Sequence, residues 1–143
     1  IDARRYPLDC CFSMFKQLFA QGQEFSYGLK ETASYYNSYV NLMDHWDKVL
    51  PGKILRVNNE DVIEDLEGQV NRLLNFLDLP FEEGCISFHE TDRLVRTASS
   101  EQVRQPINKK GMGRWKPYAK NLKPLLETLD NKLLIQEDIS LIN

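Results

Sequence analysis

Residues 1–13, Ile-Asp-Ala-Arg-Arg-Tyr-Pro-Leu-Asp-Cys-Cys-Phe-Ser, decide how the rest of the chain is read. Residues 1–5 look like the end of a short strand, and Pro7 fits the first turn of a helix over residues 8–20, because proline loses no hydrogen bond there. A strand running into a helix is the junction at which α/β folds bind anions, since the helix amino end offers free N–H groups and the positive end of its dipole. Arg5 stands at the strand exit. Asp9, Ser13 and Gln17 recur at four-residue spacing along one helix face, with Cys10, Met14 and Leu18, joined by Cys11 and Phe15, available as the apolar face opposite. A serine inside a helix brings no gain in propensity, so Ser13 reads either as a hydroxyl for an anion or as a tolerated residue.

Outward from this junction, residues 21–25 read as a loop. Residues 28–50 form a long amphipathic helix with Tyr36, Val40, Met43, Trp46 and Leu50 as its stripe, stopped by Pro51-Gly52. Residues 53–57 are a short strand. One helix then runs to Leu79-Pro80 with Ile63, Leu66, Val70, Leu73, Leu74 and Leu77 in register. Its acids Glu60, Asp61, Glu64 and Asp65 read as water-facing charges at the favourable dipole end. Residues 81–88 are a short helix or turn, residues 117–130 a docking helix, and residues 137–143 an untethered tail.

A second stretch, residues 97–115, has the opposite charge to its surroundings. Between Arg93 and Lys120 there are eight basic residues (Arg93, Arg96, Arg104, Lys109, Lys110, Arg114, Lys116, Lys120) and one acid, Glu101, in a chain of formal net charge −3. A localised positive run on an acidic chain points to a localised anion partner. A nucleic-acid partner would spread that charge over a face and raise the pI, which is near 5.4, so the charge pattern argues against a domain whose basic run tracks a nucleic-acid backbone. A solvated basic loop is the plain alternative.

At 143 residues, with 42% hydrophobic and 27% charged, the chain is expected to be one soluble domain, residues 1–143, with a real core. No apolar run approaches a membrane span. Opening at Ile1 inside a structural element points to a piece of something longer. Cys10, Cys11 and Cys85 have no metal-ligand spacing and read as reduced thiols, favouring a cytoplasmic setting. His45 and His89 stand apart, and no metal site is expected.

Three ordered motifs carry a family resemblance. Arg5 to Ser13 shows R-x-P-x-D-x-x-x-S. Ile54-Leu55-Arg56-Val57-Asn58-Asn59-Glu60-Asp61-Val62, followed by Phe76-Leu77-Asp78-Leu79-Pro80, is similar to a strand, Y-E-D-L turn and F-L-x-L-P helix ending. Ser99-Ser100-Glu101-Gln102-Val103-Arg104-Gln105-Pro106-Ile107-Asn108, with Arg114 before Trp115, resembles a cofactor loop. Together they resemble the carboxyl-terminal part of sulfotransferases that use 3′-phosphoadenosine 5′-phosphosulfate, of the bacterial, often tetratricopeptide-linked type related to tyrosylprotein sulfotransferases. The resemblance covers residues 1–130.

That resemblance implies an α/β, P-loop-like fold, helix-rich with a few short parallel strands. It implies that Arg5 and Ser13 grip the cofactor's 3′-phosphate, that Gln17 replaces a further arginine, and that Asn59 replaces a tyrosine at the adenine. Ser99 would lie near the transferring sulfuryl group as the catalytic residue. Ser100, Gln102, Val103, Arg104, Gln105, Pro106, Ile107 and Asn108 would wrap the nucleotide, and Arg114 would add a basic contact. Lys109 to Trp115 lacks the aspartate of the small-molecule enzymes' R-K-G-x-x-G-D-W. The family's Gly-rich 5′-phosphosulfate loop is not found in this sequence, and its base and catalytic lysine would precede Ile1. The isolated chain is therefore expected to hold nucleotide without catalysis, and the whole protein to transfer sulfate to a hydroxyl on a protein, carbohydrate or small molecule. The alternative is a non-catalytic nucleotide- or phosphate-binding module.

Overall fold

The computed structural model describes residues 1–19, 21–91, 94 and 100–141. They fold as two compact units, one comprising Arg5–Ile54 and Gly111–Asn143, the other Ile1–Arg4 and Leu55–Lys110. The fold is helix-rich with a short parallel sheet, as the sequence leads one to expect.

The first unit begins with α1 (Pro7–Lys16), whose leading proline sits where no N–H is needed. A 3-10 turn at Glu24–Tyr27 leads into α2 (Leu29–Val49), which packs on α1 and on α5 (Lys123–Thr128). Leu8, Cys11, Phe12, Ala33, Tyr36, Val40, Trp115, Leu122, Leu125, Leu126 and Leu129 form the core. Trp115, fully buried, is its largest member. Polar side chains tie the helices together. Asn37 on α2 donates to Thr128 O at 2.8 Å and accepts from the Asp130 N–H at 3.1 Å. The Tyr36 hydroxyl donates to Arg5 O at 2.8 Å.

Three expectations need correction in this unit. α1 stops at Lys16, four residues short of the predicted end, with Gln17 in extended conformation as its carboxyl cap. The core takes only Leu8, Cys11 and Phe12 from this helix, while Phe15 and Leu18 are exposed, so no burial supports a further turn. The buried part of the α2 stripe is likewise Thr32, Ala33, Tyr36 and Val40; Leu50 faces water. The tail is also anchored. α6 (Gln136–Ser140) buries Asp138, which accepts a hydrogen bond from the Tyr6 hydroxyl.

In the second unit β1 (Asp2–Arg4) and β2 (Arg56–Asn58) pair in parallel, Asp2 opposite Arg56, Ala3 opposite Val57 and Arg4 opposite Asn58. The buried Asp2 carboxylate lies 2.8 Å from Arg4 Nη2 and 3.1 Å from Arg56 Nε. β2 is shorter than predicted and begins three residues later. The predicted single helix after it is two, α3 (Asn59–Glu64) and α4 (Leu66–Phe76). Asp65 makes the break: its carboxylate accepts the Gly68 N–H at 2.9 Å and caps α4. Residues 81–88, expected as a short helix or turn, hold a 3-10 turn at Glu83–Cys85, and another follows at Phe88–Glu90.

Candidate anion-binding site

Local sequence fixes the site's first wall. Pro7 starts α1, so Arg5 is held in the two-residue link between β1 and the helix, and Tyr36 fastens its carbonyl. The Arg5 side chain turns toward a segment more than a hundred residues later, its Nη2 donating to Gly111 O. Position 111 suits glycine because a Cβ there would lie 3.3 Å from Arg5 Nη2. Arg5 Nε is buried and has no hydrogen-bond partner among the described residues. A buried donor atom left unpaired costs on the order of 1–3 kcal/mol, and such an atom in a native fold calls for an explanation.

The second wall is the segment 111–115. Gly113 adopts φ 68°, the left-handed region open to glycine. This turn brings two successive N–H groups onto one acceptor. Asp9 Oδ2 receives the Gly113 N–H at 2.7 Å and Oδ1 the Arg114 N–H at 3.0 Å. Asp9 is buried in the first turn of α1, so its carboxylate also meets the favourable end of the helix dipole. Trp115 plugs the core beside it, while the Arg114 side chain is exposed. Ser13, one helical turn after Asp9, is exposed and has no hydrogen-bond partner among the described residues.

Among the residues predicted from sequence, Arg5, Ser13 and Arg114 thus belong to the same unit around α1 and the 111–115 turn. Gln17 belongs to that unit too, but at the exposed end of α1, where its amide donates to Leu18 O at 3.3 Å. The other unit carries Asn59, exposed as the first residue of α3. It also carries Ser100, Gln102, Val103, Arg104, Gln105, Pro106, Ile107 and Asn108. Within that stretch Ser100, Val103 and Ile107 are half-buried and the others exposed. Arg104 Nη1 donates to Thr91 O at 3.3 Å. Asn108 spends its amide locally, donating to Pro106 O and accepting the Lys110 N–H, both at 3.1 Å. Ser99 lies outside the described residues. The basic run divides accordingly, with Arg104, Lys109 and Lys110 in one unit and Arg114, Lys116 and Lys120 in the other.

Sequence reasoning assigned no role to Asp9 beyond its helix face. The clue was its place in the R-x-P-x-D pattern, since an acid beside an anion site is electrostatically wrong unless something else takes up its charge.

A family model described as the Sulfotransferase family matches residues 1–83, which includes β1, α1 and β2. The chain belongs to the sulfotransferase family. This sulfotransferase chain is 32% identical over 141 residues to an uncharacterized protein of Aquifex aeolicus (strain VF5), covering 96% of the chain and 18% of the relative. It is 31% identical over 70 residues to a Caenorhabditis briggsae protein provisionally named a protein-tyrosine sulfotransferase, covering 46% of the chain and 25% of the relative. The chain therefore spans a quarter or less of the length of each. Among the described residues no helix is long and apolar enough to cross a membrane, and no group of three or more His, Cys, Asp or Glu side chains is placed to hold a metal.

Proposed function

We propose that residues 1–143 are the carboxyl-terminal part of one sulfotransferase domain that moves a sulfuryl group from 3′-phosphoadenosine 5′-phosphosulfate to a hydroxyl acceptor, and that this chain holds the 3′-phosphate end of the nucleotide. The observation that carries this reading is the Arg5 guanidinium: fixed through Nη2 on Gly111 O, it keeps a buried Nε donor without an acceptor among the described residues. A phosphate oxygen is the natural partner for such a group, because arginine's planar fork matches tetrahedral oxyanions.

The bound nucleotide supplies an activated sulfuryl group. The chain's own residues bind and orient. Arg5 and Arg114 neutralise the 3′-phosphate, and Ser13 donates its hydroxyl hydrogen to it, with the amino end of α1 adding its dipole. Gln17, Asn59 and residues 99–108 are carried into this proposal by the motif resemblance, with Ser99 near the transferring group.

The test is a thermal titration with adenosine 3′,5′-bisphosphate against ADP, using Arg5→Ala as control. Ligand that binds only the folded state stabilises by about 2.7 kcal/mol at a hundredfold excess over Kd. A shift specific to the 3′-phosphate and lost in Arg5→Ala is expected. Equal responses to the two nucleotides in the full-length protein would overturn the reading, and sulfate transfer by the isolated chain would overturn the expectation that it is inactive alone.

A further inference from the structure

We infer that Asp9 is a positioning residue for the 3′-phosphate site, acting through the backbone of Arg114; the inference rests on the function proposed above. A carboxylate next to a phosphate site repels the ligand unless its charge is taken up, and here it is. Each Asp9 oxygen receives one N–H, from Gly113 at 2.7 Å and from Arg114 at 3.0 Å, in the charge-assisted geometry that makes such bonds about twice as strong as neutral ones. Successive N–H groups converging at a left-handed glycine form the kind of concavity that ordinarily takes an external anion. In this fold the protein's own carboxylate fills it, so the turn serves as an attachment point.

Arg5 holds the same turn at its other end, through Gly111 O. Residues 111–114 are thus pinned at both ends by two residues of one short motif, 104 positions away for Asp9 and Gly113. Pinning fixes where Arg114 leaves the backbone: beside Asp9 in the first turn of α1, whose level is about 6 Å along the helix from that of Ser13. Without the pin, Arg114 is an exposed arginine between a left-handed glycine and the buried Trp115, and its side chain and the backbone before it lose more freedom when ligand binds.

Asp9→Asn keeps the shape and one acceptor oxygen but releases one of the two N–H groups. The experiment is isothermal titration of the full-length protein with adenosine 3′,5′-bisphosphate and with ADP, for the unmodified protein, Asp9→Asn, Arg114→Ala and the double variant. Each single change is expected to weaken the bisphosphate about tenfold and to leave ADP unchanged. The double variant is expected to bind no more weakly than Arg114→Ala alone. Gly113→Ala, which strains the turn without touching α1, carries the same expectation and decides the matter if Asp9→Asn does not fold. Unaltered bisphosphate affinity in Asp9→Asn and Gly113→Ala, or losses that multiply in the double variant, would overturn the inference while leaving the proposed function standing. An unmodified protein that does not prefer the bisphosphate to ADP would overturn both.

Discussion

The hydroxyl of Tyr6 donates a hydrogen bond to Asp138, 132 positions later, and the acceptor is 1% exposed. Tyr6 sits between Arg5 and the proline that starts α1, so the last helix of the chain is fastened to the residue next to the candidate anion ligand. Tyr6→Phe leaves a buried carboxylate short of a donor, and Asp138→Ala removes the acceptor. Each is expected to lower stability by about 1–3 kcal/mol, and the double variant by less than the sum. Urea midpoints for the three variants check this; an unchanged midpoint in Tyr6→Phe would mean the pair adds nothing.

Alkali should act on the same region. Burial first, then the hydrogen bond to Asp138 and its negative charge, push the Tyr6 phenol above its ordinary 10.0. Burial, with Cys10 adjacent, pushes the Cys11 thiol above its ordinary 9.0. Both groups are held neutral in the fold, so the unfolded chain gives up these protons first as pH rises. Their stabilisation is complete below the ordinary values and is lost above them. Unfolding free energy measured from pH 8 to 11 is therefore expected to fall above about pH 9, and the fall should be shallower in Tyr6→Phe. Equal slopes would contradict the assignment of the phenol.

Ser13 separates binding from folding. Its hydroxyl is exposed and contributes no hydrogen bond among the described residues, so Ser13→Ala is expected to change stability by no more than about 0.5 kcal/mol. The same change should weaken adenosine 3′,5′-bisphosphate roughly tenfold. Parallel melting and titration would show both, and a variant that binds normally would remove Ser13 from the site.

Asp65 and Asn58 offer a controlled comparison of helix starts. Asp65 caps α4 through the Gly68 N–H, whereas Asn58 precedes α3 without capping it and donates to Asp61 Oδ2 at 2.9 Å. Asp65→Ala is expected to cost about 0.5–2 kcal/mol and Asn58→Ala less, read from denaturant midpoints. The reverse order would show that the break between α3 and α4 is held by something other than the cap.

Local chemistry in the sequence foretold the features that local chemistry decides. Pro7 after a charged strand end marked the junction, Pro51-Gly52 marked the end of α2, and the spacing of Tyr36 and Val40 marked its buried side. Long-range contacts were hidden. Asp9 looked like one of three polar residues on a helix face until its oxygens were seen to hold Gly113 and Arg114. Asp138 looked like part of a loose tail because nothing near it in sequence announces Tyr6. The helix expected to run to Leu79-Pro80 read as continuous because apolar periodicity survives a one-residue interruption. Asp65 with Gly68 three positions on was the available sign of a cap, and the periodic leucines masked it. The end of α1 was overestimated because Phe15 and Leu18 fit the period but have no core to enter.

The parallel pairing of β1 with β2 also sets an order of events. Asp2 must find Arg56 across α1 and α2, and a parallel pair needs such a crossover. Closing a loop of that length is entropically slow, whereas helix turns form from neighbours in the chain. The sheet is therefore a late product of folding. In pulse-labelled refolding, the Asp2 amide, bonded to Leu55 O at 2.8 Å, should gain protection after the amides inside α2. Arg5, one residue beyond the strand, is held instead within the helical unit by Tyr36 and Gly111 O, so the competence to bind an anion should appear with the packing of the helices and before the sheet amide is protected.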